Sequence, residues 1–126
     1  MIDELTTLTG QQLEQLVYRI FTAYWNFDEE NVHLVGKSGD YGVDVIASDQ
    51  QDRTYAVQAK AYSGKVGLAA VQQIVAAKAL YHYDVGIVVT NNVLTLNAHR
   101  LARANHIRVI EGQELRNIVY KMNGRW

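Results

Sequence analysis

The sequence predicts an α/β fold, a mixed central sheet flanked by helices, with elements in the order αβββαβαβ plus a C-terminal helix. Apolar residues recur at helical spacing in four separate segments, and short valine-rich or alternating runs lie between them. No proline, repeat, low-complexity tract or linker divides the chain, so residues 1–126 are expected to form one domain.

Leu13, Leu16, Val17, Ile20, Phe21 and Tyr24 define the first helix, over about residues 10–25, and Thr9 with Gln12 has the spacing of a capping box. Three strands follow the acidic turn at Asp28 to Asn31: VHLV, VDVIA and TYAVQAK, separated by Gly39 to Gly42 and by SDQQDR. Gly64 leads into a second amphipathic helix with Leu68, Val71, Ile74 and Val75 inward. The uninterrupted VGIVVT reads as a buried strand. Thr95 can cap a third helix with Ala98, Leu101 and Ala102 on its inner side; IRVI is a further strand, and Leu115, Ile118, Val119 and Met122 mark the last helix.

The 126 residues carry no cysteine, which excludes disulfides and thiolate metal sites. A metal would have to take oxygen or imidazole ligands, and that favours magnesium or manganese over zinc. The four histidines, 33, 82, 99 and 106, have no metal-ligand spacing. The chain has no apolar run of membrane-spanning length and no signal-peptide pattern at its start, so a soluble cytoplasmic protein is expected. A net charge of -1 does not suggest a strongly basic nucleic-acid binder. The charge is unevenly spread, however: residues 1–30 are acidic apart from Arg19, and the basic excess lies beyond them.

Alternation along TYAVQAK puts Gln58 and Lys60 on one face with Thr54 and Ala56, and Tyr55, Val57 and Ala59 on the other. If SDQQDR is a hairpin turn, Asp44 and Gln58 are about equally far from its centre and can face each other across the strands. A carboxylate, an amide oxygen and an ammonium would then converge. Phosphodiester hydrolysis uses such a group: oxygen ligands hold a divalent metal that polarises the phosphate, and a lysine orients or activates water.

The segments GKSGDYGVDVIA, YAVQAKAYSGKVGLAAVQQIV and GIVVTNNVLTLNAHRLARANHIRVIEGQEL resemble, in order, the successive motifs of the Mrr-like restriction endonucleases, of the PD-(D/E)XK superfamily. LTGQQLEQLV is similar to that family's opening helix. The resemblance implies a restriction-endonuclease-like core and a metal-dependent DNA endonuclease acting against foreign or modified DNA. It makes Asp44 the metal-binding aspartate, Lys60 the catalytic lysine, Gln58 the Gln-x-Lys form of the commoner acidic ligand, and Glu14 the helix-1 glutamate. Metal ligands are then Asp44, Gln58 and the carbonyl of Ala59, with Glu14 as a further candidate and Asp40 as a secondary one. Mg²⁺ is the expected cofactor, with Mn²⁺ able to substitute.

DNA is the expected partner. Contact candidates are Lys37, Ser38 and Lys65 in loops beside the site, and Gln72 and Gln73 on the second helix. Thr90, Asn91, Asn92 and Thr95 follow the buried strand, where they could bind a phosphate or simply cap the helix. His99, Arg100 and Arg103 lie on the outer face of the third helix. Twofold pairing would suit the antiparallel strands of a duplex, so a homodimer is expected, with Tyr81, Tyr83 and the stripe ending near Trp126 as interface candidates. A separate subunit would supply DNA recognition. The alternatives are a structure-specific nuclease such as a Holliday-junction resolvase, or a non-catalytic DNA-binding module that retains the fold.

Overall fold

The computed structural model describes residues 4–35 and 40–122. Five strands form one sheet in the order β1 to β5: β1 (Val32–Leu34), β2 (Val45–Ser48), β3 (Thr54–Lys60), β4 (Val85–Thr90) and β5 (Arg108–Ile110). The first two pairings are antiparallel and the last two parallel, so the sheet is mixed, as the sequence predicts. Four helices, α1 (Gly10–Arg19), α2 (Leu68–Leu80), α3 (Leu96–Ala104) and α4 (Gly112–Lys121), fall in the expected places.

The central strands β3 and β4 are buried on both faces because both are covered, whereas the edge strands β1 and β5 expose His33 and Arg108. On one face, Leu13, Leu16 and Val17 of α1 and Leu115 and Ile118 of α4 pack with Val45, Val57, Ile87, Val89 and Ile110. On the other, Val71, Ile74 and Ala77 of α2 and Ala98 and Ala102 of α3 pack with Ala56 and Val88. Burying one such aliphatic side chain contributes about 1.5–3 kcal/mol. The two cores together therefore outweigh any polar contact on the surface.

The capping box forms as read: Thr9 Oγ1 accepts the Gln12 N–H at 3.1 Å, and Gln12 Oε1 accepts the Thr9 N–H at 2.9 Å. Beyond Arg19 the helix widens into a π-type turn over Ile20–Tyr24, where the sequence predicts uninterrupted α-helix. Phe21 is fully buried there and meets Trp25, Phe27 and Tyr55 edge-on with ring centres 4.9–5.9 Å apart. The inner face of α2 also differs from the expectation. Small residues pack closest to the sheet, so Ala70 and Ala77 join Val71 and Ile74 inside, Leu68 is exposed and Val75 only half-buried.

The β2–β3 hairpin is closed by Asp49, which accepts from the backbone N–H groups of Gln51 and Arg53 and from the Tyr55 hydroxyl. With that turn fixed, Val45 pairs with Val57 and Ser48 with Thr54. The ladder ends at Val45, and just before it the Asp44 N–H still donates to the Val57 carbonyl, so Asp44 stands at the entry to β2 next to the end of β3. Parallel pairing of β3 with β4 places Lys60 beside Thr90. The start of β2 and the ends of β3 and β4 therefore meet at one end of the sheet.

Candidate active site

That end of the sheet gathers the polar residues of β3. Val57 and Ala59 belong to the α1/α4 core, and Ala56 to the α2/α3 core. By alternation Gln58 and Lys60 then point toward α2. Gln58 is wholly buried, and its Nε2 donates to Gln73 Oε1 on α2. Its own Oε1 is buried without a partner among the described residues. A buried carbonyl oxygen left unbonded costs about 1–3 kcal/mol, so such a group calls for a ligand.

Asp44 sits at the entry to β2, where its N–H donates to the Val57 carbonyl and its own carbonyl accepts from Val35 N–H, both at 2.8 Å. Its Oδ2 accepts the Ala59 N–H at 2.7 Å, leaving Oδ1 for another partner. Burial pushes the Asp44 carboxyl above the usual aspartate range; the Ala59 N–H and the nearby Lys60 ammonium pull it back only in part. A residue's N–H and C=O leave a strand on the same edge. The Ala59 carbonyl therefore points toward the place where β2 has not yet begun.

The available donors are a carboxylate, an amide oxygen and a backbone carbonyl, all hard oxygens of the kind that hold Mg²⁺ or Mn²⁺. No group of three His, Cys, Asp or Glu suited to a metal occurs among the described residues, so the Gln58 amide would have to serve as a ligand. The residues present fit a small oxygen-loving cation.

The profile of the Mrr catalytic family, described as restriction endonuclease, matches residues 5–119. The chain belongs to this family. Nucleases of this Mrr type are generally metal-dependent, which agrees with the donor set. Among solved structures, the ATP-dependent Type ISP restriction-modification enzyme LlaBIII bound to DNA is 29% identical with a TM-score of 0.68, over 86% of this chain and 8% of that one. MspJI restriction endonuclease in complex with a 27-mer oligonucleotide reaches a TM-score of 0.65 at 20% identity, over 94% of this chain and 30% of that one. EndoMS in its apo form reaches 0.58 at 18% identity, over 82% and 46%. At these identities the last two show a shared fold. The Mrr domain spans less than half the length of each of these proteins. The comparison with curated proteins returns no match.

The remaining site candidates of this Mrr domain separate into three groups. Glu14 is half-buried on α1, against the Val57 and Ala59 face of the sheet rather than the Gln58 face. Asp40 opens the short 3₁₀ turn Asp40–Gly42 that leads to Asp44. Lys37, Ser38 and Trp126 lie outside the described residues.

Several of the DNA-contact candidates also have structural tasks. Thr90 is fully buried and its Oγ1 accepts the Asn92 N–H. Asn91 is only 6% exposed; its amide donates to the Leu5 carbonyl and accepts from Tyr62 N–H, which ties the N-terminal segment to the site loops. Asn92 Oδ1 accepts from Val93 N–H, and Thr95 caps α3 through Ala98 N–H. His99 bonds to Glu111 at 2.8 Å, and the same Glu111 oxygen accepts from Leu94 N–H. These bonds tie the groups to the protein's own backbone and side chains; Thr90 and Asn91 are buried, while Asn92, Thr95 and His99 stay partly exposed. Gln73 is taken up by Gln58.

Lys65, Gln72, Arg100 and Arg103 remain exposed. Both arginines line a shallow groove of about 590 Å³ with Leu96, His99 and Val109. The sequence reading missed Gly42, whose φ of +70° and closeness to Gln58 and Gln73 leave no room for a side chain. A glycine two residues before the aspartate was the available signal, and it was read only as turn punctuation. No helix among the described residues is long and apolar enough to cross a membrane.

Proposed function

We propose that this domain hydrolyses DNA phosphodiester bonds with a bound divalent metal, Mg²⁺ or in its place Mn²⁺, in restriction of foreign or modified DNA. The observation that carries the reading is the Oε1 of Gln58, buried and without a partner among the described residues, at the sheet end that Asp44 and Lys60 share. Asp44, the Gln58 amide oxygen and the Ala59 carbonyl would hold the metal, with Glu14 as a further candidate from α1. When bound, the metal polarises the scissile phosphate and lowers the pKa of water. Lys60 sets its ammonium beside Asp44, where it orients the attacking water and offsets charge that builds on the phosphate. The Ala59 N–H keeps the Asp44 carboxylate in one orientation throughout.

Arg100, Arg103, Lys65 and Gln72 supply exposed contacts for DNA, and Lys37 and Ser38, which precede Asp44 in the sequence, are further candidates. A single site cuts one strand per visit, so double-strand breaks call for two copies. Tyr81 and Tyr83, 6.4 Å apart edge-on at the surface end of α2, offer aromatic area for a homodimer. Sequence recognition would come from a partner subunit or segment.

Incubating the protein with modified and unmodified plasmid, with Mg²⁺, Mn²⁺ or EDTA, tests the reading. Metal-dependent nicking or linearisation is expected. Binding of DNA with no cleavage under any metal would make the domain a binding module. Light scattering should report a dimer at micromolar concentration, and a monomer both free and DNA-bound would remove the dimer.

A further inference from the structure

We propose that Gln73 is a positioning residue: by accepting the Gln58 N–H it turns the Gln58 carbonyl oxygen, rather than its NH₂, toward the metal. The inference rests on the reading of Asp44 and Gln58 as metal ligands. A carboxylate at position 58 would present an oxygen whichever way it turned. An amide has one accepting end and one donating end, and the donating end repels a cation. A Gln-x-Lys site therefore needs a selector that a Glu-x-Lys site does not.

The fold supplies one from the facing layer. Gln73 lies on α2, across from β3, and its Oε1 takes the Nε2 of Gln58. Gly42 leaves the space for this pair: a Cβ built there would collide with Gln58 Nε2 and stand 2.7 Å from Gln73 Oε1. With the NH₂ end engaged, Gln58 Oε1 is the buried acceptor left over. Second-layer partners of this kind fix ligand orientation, and their loss typically weakens metal affinity by about 10- to 100-fold.

Hydrogen-bond polarity gives each substitution a sign. Gln73→Glu can only accept, so it holds Gln58 as the wild type does. Gln73→Leu does neither and frees the amide to turn. Gln73→Lys can only donate, so it draws Gln58 Oε1 to itself and presents NH₂ at the metal position. Gln73 is exposed on α2, so these changes leave the core packing alone.

The test is Mn²⁺ binding to the metal-free protein without DNA, read by electron paramagnetic resonance, with thermal unfolding in EDTA as the check of fold. Wild type and Gln73→Glu should bind comparably, Gln73→Leu about 10- to 100-fold more weakly, and Gln73→Lys more weakly again. The decisive comparison repeats Gln73→Lys in a Gln58→Glu background. A carboxylate at 58 accepts from the lysine and still offers an oxygen, so most of the loss should vanish there. An equal loss in both backgrounds would reduce the effect to added charge, and wild-type affinity in Gln73→Leu would overturn the positioning role. Asp44→Asn separates the underlying reading: if that variant binds Mn²⁺ like the wild type, the metal site itself is misplaced and the proposal falls with it.

Discussion

Replacing Gln58 with Met should stabilise the metal-free protein while abolishing cleavage. Gln58 is the largest fully buried polar side chain of the sheet, and its Oε1 has no partner among the described residues. Removing that orphaned acceptor returns about 1–3 kcal/mol. Against it stands the lost bond to Gln73, about 0.5–1.5 kcal/mol net. Gln73 is exposed and turns to water when its partner goes, so no second orphan is created. Methionine has nearly the same length and bends to fill irregular space, which keeps the packing cost under about 1.5 kcal/mol. At mid-range values these terms leave a gain of about 0.3 kcal/mol where a substitution usually costs about 1 kcal/mol. Urea denaturation in EDTA measures it. Added Mg²⁺ should raise the midpoint of the wild type and leave the variant unmoved, because only a folded state with the site intact gains from binding. A loss of more than about 1 kcal/mol in EDTA would refute the reasoning, since it would mean that Oε1 has a partner worth keeping.

Asp44→Asn should behave similarly with a pH signature. The Asp44 carboxyl titrates above its ordinary range in the folded protein because it is buried, so its contribution to stability is full below the unfolded pKa and is lost as pH rises through the folded one. Asparagine keeps an oxygen for the Ala59 N–H and never ionises. Urea midpoints of the two proteins should thus converge in acid and separate in the variant's favour toward neutrality; midpoints that separate the other way contradict the burial argument. Replacing Arg100 and Arg103 together with Ala should weaken DNA binding and lower the salt slope by roughly two units, with little change in sequence preference. An unaltered slope returns that face of α3 to solvent.

Much of this fold was legible because periodicity and burial agree. The hydrophobic positions of α1, α3 and α4, the capping box at Thr9 and the buried β4 all follow from spacing alone. The hairpin between β2 and β3 was legible too, because a turn centred in SDQQDR fixes the register from Ser48 and Thr54 to Val45 and Val57. The inner face of α2 was not, since that helix is apolar nearly all round and which residues pack inward depends on how closely the sheet approaches. The tasks of Asn91 and His99 were hidden for another reason. Their partners, Leu5 and Glu111, are distant in sequence, and polar residues after a strand look alike whether they bind phosphate or backbone. The link from Gln58 to Gln73 through the space beside Gly42 was likewise a tertiary fact. The glutamine pair on α2 was visible as polarity, without a direction.

The central claim is that Asp44, Gln58 and Lys60 form one hydrolytic site, and Lys60→Ala tests it most directly. Lys60 is half-buried at the end of β3, and its removal leaves both cores intact. Single-turnover cleavage of plasmid in Mg²⁺, measured beside DNA binding in Ca²⁺, should show cleavage reduced by at least about 100-fold with binding nearly unchanged. Cleavage at the wild-type rate in that variant would contradict the account.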